Sequence, residues 1–204
     1  MNDFKPPAIN SSSKTDSKYW NMRAIDSDAV GSLAMSLNET QLLTSVLYNR
    51  GIRTLEEAVN FLHPDMTKLA DSFLMHHMHE AVDRILKAVE SGEEILIFGD
   101  NDVDGVTSTT LVYQFLEPFD AKVAYFLPRR KEDGHGFNDE TLTAALASHH
   151  PSLLISVDCG MSGVDEIERL KEKGIDVIVV DHHAPPDRCP QTIVLNPKKE
   201  EDHF

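Results

Sequence analysis

The sequence predicts an α/β fold: a parallel sheet flanked by helices, preceded by a small helical N-terminal layer. Three observations predict it. Short apolar runs at Ile95–Phe98, Lys122–Leu127, Leu153–Val157 and Asp176–Val180 alternate with helix-length segments. That alternation is the pattern of βαβ units, which build a parallel sheet with helices on both faces. The run Ile95-Leu96-Ile97-Phe98 is continuous and stops at Gly99, as a strand covered on both faces does. Lastly, the polar residues able to do chemistry collect just after three of the runs.

The elements follow in order. Residues 1–19 are rich in Asn, Ser, Lys and Pro and read as a disordered tail; Trp20 is expected to open the ordered part. Residues 20–92 read as a helical region. Asn38 or Thr40 can cap a helix carrying Leu42, Leu43, Val46 and Leu47, and Gly51 follows its end. Thr54-Leu55-Glu56-Glu57 has the spacing of a capping box, and the helix it starts runs through Ala58 and Phe61 to Pro64. A third helix is expected over Met78–Glu90, with Ala81, Ile85, Leu86 and Val89 inward. From 93 to 204 the register is that of the sheet. Between the strands, helices are expected around Leu111–Leu116 and over Asp139–His149 and Val164–Lys173. Thr192–Leu195 is a candidate fifth strand.

Composition narrows the function. Of 204 residues, 19 are Lys or Arg and 34 Asp or Glu, giving a net charge of −15. Such a surface argues against general, nonspecific nucleic-acid binding, which needs a basic field; it leaves room for a local site and for carboxylates that hold cations. Cys159 and Cys189 make no disulfide framework and read as reduced thiols. No run approaches the ~18 apolar residues of a membrane span, and the N-terminus lacks the apolar stretch of a secretory signal. A cytoplasmic chain with no membrane partner is expected.

The acids carry the chemistry. The first strand ends in Gly99-Asp100-Asn101-Asp102-Val103-Asp104-Gly105, the third in Asp158-Cys159-Gly160 and the fourth in Asp181-His182-His183. The C-terminal ends of parallel strands point one way, and ligands bind in the crevice outside them. Five Asp and two His therefore converge, although they lie about 80 residues apart in sequence. A calcium loop of the EF-hand type is excluded, because its twelfth position, counted from Asp100, is Leu111 rather than Glu. Gathering these carboxylates without a cation costs several kcal/mol in repulsion and desolvation. Carboxylates mixed with imidazole suit Mn²⁺, Mg²⁺, Fe or Zn²⁺. Two such ions ~3.5–4 Å apart clamp an in-line attack on phosphorus, one acidifying a water and the other stabilising the leaving oxygen. Phosphoester hydrolysis is the reaction class these residues suggest.

The segments Ile97–Ser108 (IFGDNDVDGVTS), Ser156–Gly160 (SVDCG) and Val177–His183 (VIVVDHH) resemble the first three motifs of the DHH phosphoesterase superfamily. Three accessory segments resemble more narrowly its RecJ family of single-strand-specific 5′→3′ DNA exonucleases. They are Gly51–Thr54 through Phe61–Pro64, Pro128–Arg130 through Gly134–Gly136, and Asn196–Lys198. The resemblance implies that Asp102, Asp104, Asp158 and His182 hold Mn²⁺ or Mg²⁺, with Asp100 a further ligand or a close neighbour and Asp158 bridging two ions. It implies that His183 sits near the scissile phosphate, orienting a ligand or contacting the phosphate, and that Asp181 fixes the histidines. Ser108 and Arg130 are the implied phosphate contacts. Single-stranded DNA is the implied substrate and a single-stranded-DNA-binding protein the implied partner, in DNA repair and recombination. Asn101 and His135 stand where that family usually has Tyr. The family also continues well past this chain's length, so the chain is expected to be an N-terminal portion, binding metal weakly and cutting DNA little by itself. The alternatives are a DHH enzyme acting on short oligonucleotides or nucleotides, or a non-catalytic fragment. The former usually carries a His at the place of Phe98.

Overall fold

The computed structural model describes residues 23–129, 136–200 and 202. The expectations for 1–19, Trp20, Arg130 and His135 lie outside them. The chain forms two compact units that divide between Leu69 and Ala70.

The first unit contains α1 (Ser27–Leu37), α2 (Gln41–Asn49) and α3 (Leu55–Leu62). Asp26 caps α1 by accepting the amides of Asp28 and Ala29. Thr40, not Asn38, caps α2; Asn38 instead closes α1 in the left-handed conformation. The capping box at Thr54 and Glu57 is formed, its side chains and amides bonded reciprocally. Leu33, Leu47 and Ala58 make a small core where the three helices meet.

The second unit contains α4 (Met78–Glu90), β1 (Glu94–Gly99), α5 (Val103–Leu116), β2 (Lys122–Phe126), α6 (Asp139–Leu146), β3 (Leu153–Val157), α7 (Val164–Glu172), β4 (Asp176–Val180) and β5 (Ile193–Leu195). The strands form one all-parallel sheet in the order β2-β1-β3-β4-β5. Alternation along each strand divides its side chains between two cores. Leu96, Phe98, Leu154, Val177 and Val179 pack with Leu142, Ile167 and Leu170 of α6 and α7. Ile95, Ile97, Ile155, Val157 and Ile178 pack on the other face with Ala81 and Ala88 of α4 and Leu116 of α5. The sequence groups α4 with the N-terminal helices, but its small residues bury it against the sheet. Leu86, expected inward, is 52% exposed, because Ala81, Ile85, Ala88 and Val89 define the buried face and position 86 turns away from it. Helix α6 stops at Leu146, three residues short of the expected end; Pro151 disfavours helix for the residue before it.

Strand order reverses at β1: the chain steps outward to β2, then crosses back to β3 on β1's other side. A crevice at the C-terminal ends of β1 and β3 is the place such sheets offer a ligand.

Candidate metal centre

Each acidic segment starts where a strand ends. After β1 the chain turns through Asp100 to Asp102, which caps α5: its Oδ1 accepts the Gly105 amide at 3.0 Å. Asp100 Oδ1 accepts the Asn101 amide at 2.7 Å. The turn is tight enough to require glycine at 105. A Cβ there would lie 2.3 Å from the Asp100 carbonyl oxygen, a backbone atom that has no room to retreat.

After β3, Asp158 adopts φ 61°, a left-handed conformation that Asp tolerates better than most residues. Its amide still pairs with the Val180 carbonyl, so the kink starts at the last rung of the ladder. Gly160 has φ +110°, and a Cβ there would lie 2.6 Å from Ser156 Oγ. The two residues together turn the Asp158 carboxylate over the strand ends.

After β4, Asp181 is 6% exposed and collects four hydrogen bonds. Its Oδ1 accepts the amides of His182 (2.7 Å) and His183 (3.0 Å) and meets His183 Nδ1 at 2.7 Å. Its Oδ2 accepts the Met161 amide at 3.1 Å. Burial by itself would raise the Asp181 pKa; these amides and the His183 ring outweigh it and hold it below the usual carboxylate range. The same pair raises the pKa of His183, since Asp181 favours the imidazolium.

Asp158, also 6% exposed, meets His182 Nε2 at 2.8 Å and lies in hydrogen-bond reach of Asp102. Burial and then the Asp102 charge push the Asp158 pKa up, against the pull of His182. Asp102 is held low, chiefly by the Gly105 amide. Two carboxyls in contact, one partly buried, are arranged for a positive charge to lie between them.

One ligating atom from each of Asp158, His182 and His183 falls within 4.8 Å of the others, the spacing of a metal site. Asp102 joins this group through Asp158. Asp104 and Ser108 line a cavity of about 370 Å³ together with Asp158 and His182. Asp100 and His183 line another, of about 270 Å³, on the Cys159–Ser162 side. Asp100 and Asp104 thus flank the group without belonging to it by spacing. The donor set is carboxylate and imidazole, without thiolate, which fits Mn²⁺, Mg²⁺, Fe or Zn²⁺ and does not choose among them. Cys159 is buried among the acids, and burial pushes its thiol pKa well up, so it stays a neutral packing group. The sequence reading gave Asn196 only as part of an accessory segment and assigned it no role; it is completely buried and donates to the His183 carbonyl. Its signal was an Asn-Pro pair closing an apolar strand, at the end of the sheet where the acids gather.

A family model described as the DHH family, N-terminal domain, matches residues 94–203. The chain belongs to the DHH family. Among curated DHH proteins it is 39% identical, over 181 residues, to the single-stranded-DNA-specific exonuclease RecJ of Bacillus subtilis (strain 168), covering 88% of this chain and 23% of that one. A crystal structure of exonuclease RecJ bound to manganese superposes with a TM-score of 0.60 at 32% identity, over 67% of this chain and 35% of that one. RecJ from Thermus thermophilus in complex with Mn²⁺ gives a TM-score of 0.59 at 25% identity, over 87% and 24% of the two chains. The chain spans about a quarter of the length of the curated relatives it matches.

Proposed function

We propose that this chain supplies the metal-binding part of a hydrolase that cuts phosphodiester bonds of single-stranded DNA from the 5′ end, in DNA repair and recombination. Asp158, His182, Asp102, Asp104 and Asp100 would hold Mn²⁺ or Mg²⁺. One observation carries the reading: the ligating atoms of Asp158, His182 and His183 lie within 4.8 Å, with Asp102 against Asp158. Metal-containing RecJ relatives of the same fold support it.

A bound divalent pair supplies Lewis acidity toward phosphate oxygens and lowers the pKa of a water. The chain's own residues do the positioning. Asp181, an acceptor only, takes a hydrogen bond from His183 Nδ1, which fixes that ring and leaves Nε2 as the nitrogen not engaged by Asp181. In this reading His183 Nε2 meets the scissile phosphate. Ser108, in the first turns of α5, lines the same cavity as Asp104 and offers a hydroxyl to a phosphate oxygen. Arg130 is assigned the same task on the DNA backbone. A single-stranded-DNA-binding protein as partner and a cytoplasmic location belong to this reading. No helix among the described residues is long and apolar enough to cross a membrane.

Mn²⁺ binding to the 204-residue chain, followed by electron paramagnetic resonance, tests the proposal beside the Asp158→Ala variant. Binding that weakens roughly 100-fold in the variant is expected, at the upper end of what altering a metal site costs. The same samples are assayed on 5′-labelled single-stranded DNA, where Mn²⁺-dependent release from the 5′ end would show that this portion suffices for the chemistry. Mn²⁺ binding indifferent to Asp158→Ala would overturn the site.

A further inference from the structure

The acid cluster that would hold metal also repels a polyanion. A strand entering the crevice needs a cation at its border, and the end of β5 provides one. Asn196 Nδ2 donates to the His183 carbonyl at 3.0 Å, and Asn196 Oδ1 accepts the Lys198 amide at 2.9 Å. One fully buried side chain thus ties the turn carrying both histidines to the turn carrying Lys198. The tie is reinforced beside it, where the Asp181 amide donates to the Leu195 carbonyl at 3.0 Å.

Lys198 is exposed and has no ion-pair partner among the described residues. It lines a cavity of about 590 Å³ with Pro185 and Pro186, which closely follow the histidines, and with Lys199 and two acids, Asp187 and Glu200. A compact ammonium on a flexible stem, anchored at its backbone, is suited to a mobile phosphate.

We propose that Lys198, held beside His183 by Asn196, contacts a phosphate of the nucleic-acid strand, Asn196 being the positioning residue. The inference rests on the hydrolase reading above and adds where the strand lies: along the β5 side of the crevice. A backbone contact of this kind carries no sequence preference.

The test is binding of a 5′-phosphorylated, 3′-fluorescein-labelled thymidine dodecamer to the Mn²⁺-loaded full chain, by anisotropy over a salt series. Lys198→Gln is expected to weaken binding about fivefold and to flatten the salt slope by about 0.7, the share of one phosphate contact on a single strand. Mn²⁺ affinity should stay unchanged. Lys87→Gln, on an exposed lysine in the last turn of α4 at the opposite end of the sheet, should leave binding as it was. Asn196→Ala should flatten the slope as Lys198→Gln does, and the double variant should lose no further affinity, since the two act as one unit. An unaltered Lys198→Gln variant, an equal loss in Lys87→Gln, or no dodecamer binding by the unsubstituted chain would overturn the proposal. Mn²⁺ binding with no Lys198 effect would remove this inference alone. A Lys198 effect without Mn²⁺ binding at Asp158 would remove the metal reading and leave the phosphate contact standing.

Discussion

The two walls of the crevice are built by opposite means. On the β3–β4 wall, Asp158 and Asp181 are nearly buried, and Asp181 is saturated with amide and imidazole partners. On the β1 wall, Asp102 and Asp104 are exposed; Asp102 caps its own helix, and Asp104 merely faces the cavity. The first wall has its geometry fixed before any ligand arrives. The second has a fixed backbone and a held Asp102, and leaves the Asp104 side chain without a partner among the described residues. A site that holds a cation between a fixed wall and an exposed, unpaired carboxylate can admit and release it, at the cost of ordering that carboxylate on binding.

The sharpest way to break this comparison is Asp181→Ala. It strands the amides of Met161, His182 and His183 and removes the His183 ring partner. The Met161 donor is buried and its loss costs about 1–3 kcal/mol; the two histidine amides are partly reached by water and cost less, so a loss of about 2–4 kcal/mol is expected in urea unfolding. A loss under about 1 kcal/mol would mean that this wall is not preorganised by Asp181.

The next effect is on the other wall. Gly105→Ala drives a methyl into the Asp100 backbone, at 2.3 Å from its oxygen. About 2–3 kcal/mol of destabilisation is expected in the same assay, because overpacking against backbone has no cheap relief. A neutral result would show the β1 turn to be as free as the Asp104 side chain.

Much of this could be read from the sequence, for physical reasons that also mark where reading stops. The strands were legible because runs such as Ile95–Phe98 are apolar on both faces, and only a sheet covered on both sides uses them. The convergence of Asp100–Asp104, Asp158 and Asp181–His183 followed from the parallel direction of those strands. Helix α1 lies in the stretch read as helical but was not singled out, although Asp26 caps it and Val30, Leu33 and Ala34 make its stripe. Helix α5 gave no facing, since Leu111 and Phe115 are apolar yet 70% and 65% exposed. The left-handed Asp158 and the two bonds of Asn196 were invisible, because each depends on partners that only the folded sheet brings near. The finer rule is that spacing along the chain locates ligands, whereas the groups that hold them in place are set by tertiary hydrogen bonds.

A smaller effect separates the walls by pH. Hydrogen bonding to Asp181 raises the folded pKa of His183 above its ordinary value of about 6.5. A raised folded pKa contributes stability that is fully present below about 6.5 and is lost as pH rises through the folded value. Asp181 is the reverse case: its lowered pKa contributes stability present above about 3.9 and lost as pH falls through the folded value. Between those limits the pair contributes most. In metal-free protein, the His183 ring resonances should titrate with a midpoint above about 6.5, and Asp181→Asn should bring it down. A midpoint unmoved by Asp181→Asn would detach His183 from that carboxylate.

The smallest effect on the fold is expected from Asp104→Asn, and that is what makes it informative. Asp104 is exposed, and among the described residues none of its side-chain atoms holds up the turn; the cap of α5 is Asp102. The variant keeps size and shape and removes one negative charge beside Asp158 and His182. Its thermal midpoint should match that of the unsubstituted chain. If that exposed carboxylate exists to close on a cation, Mn²⁺ affinity should nonetheless fall roughly tenfold, as loss of one carboxylate from a site implies. Titration calorimetry of Mn²⁺ into both proteins reads this directly. An unchanged affinity would confine the cation to the β3–β4 wall, with Asp104 serving only the charge of the crevice. A lowered midpoint would show that the second wall too is held together by its acids.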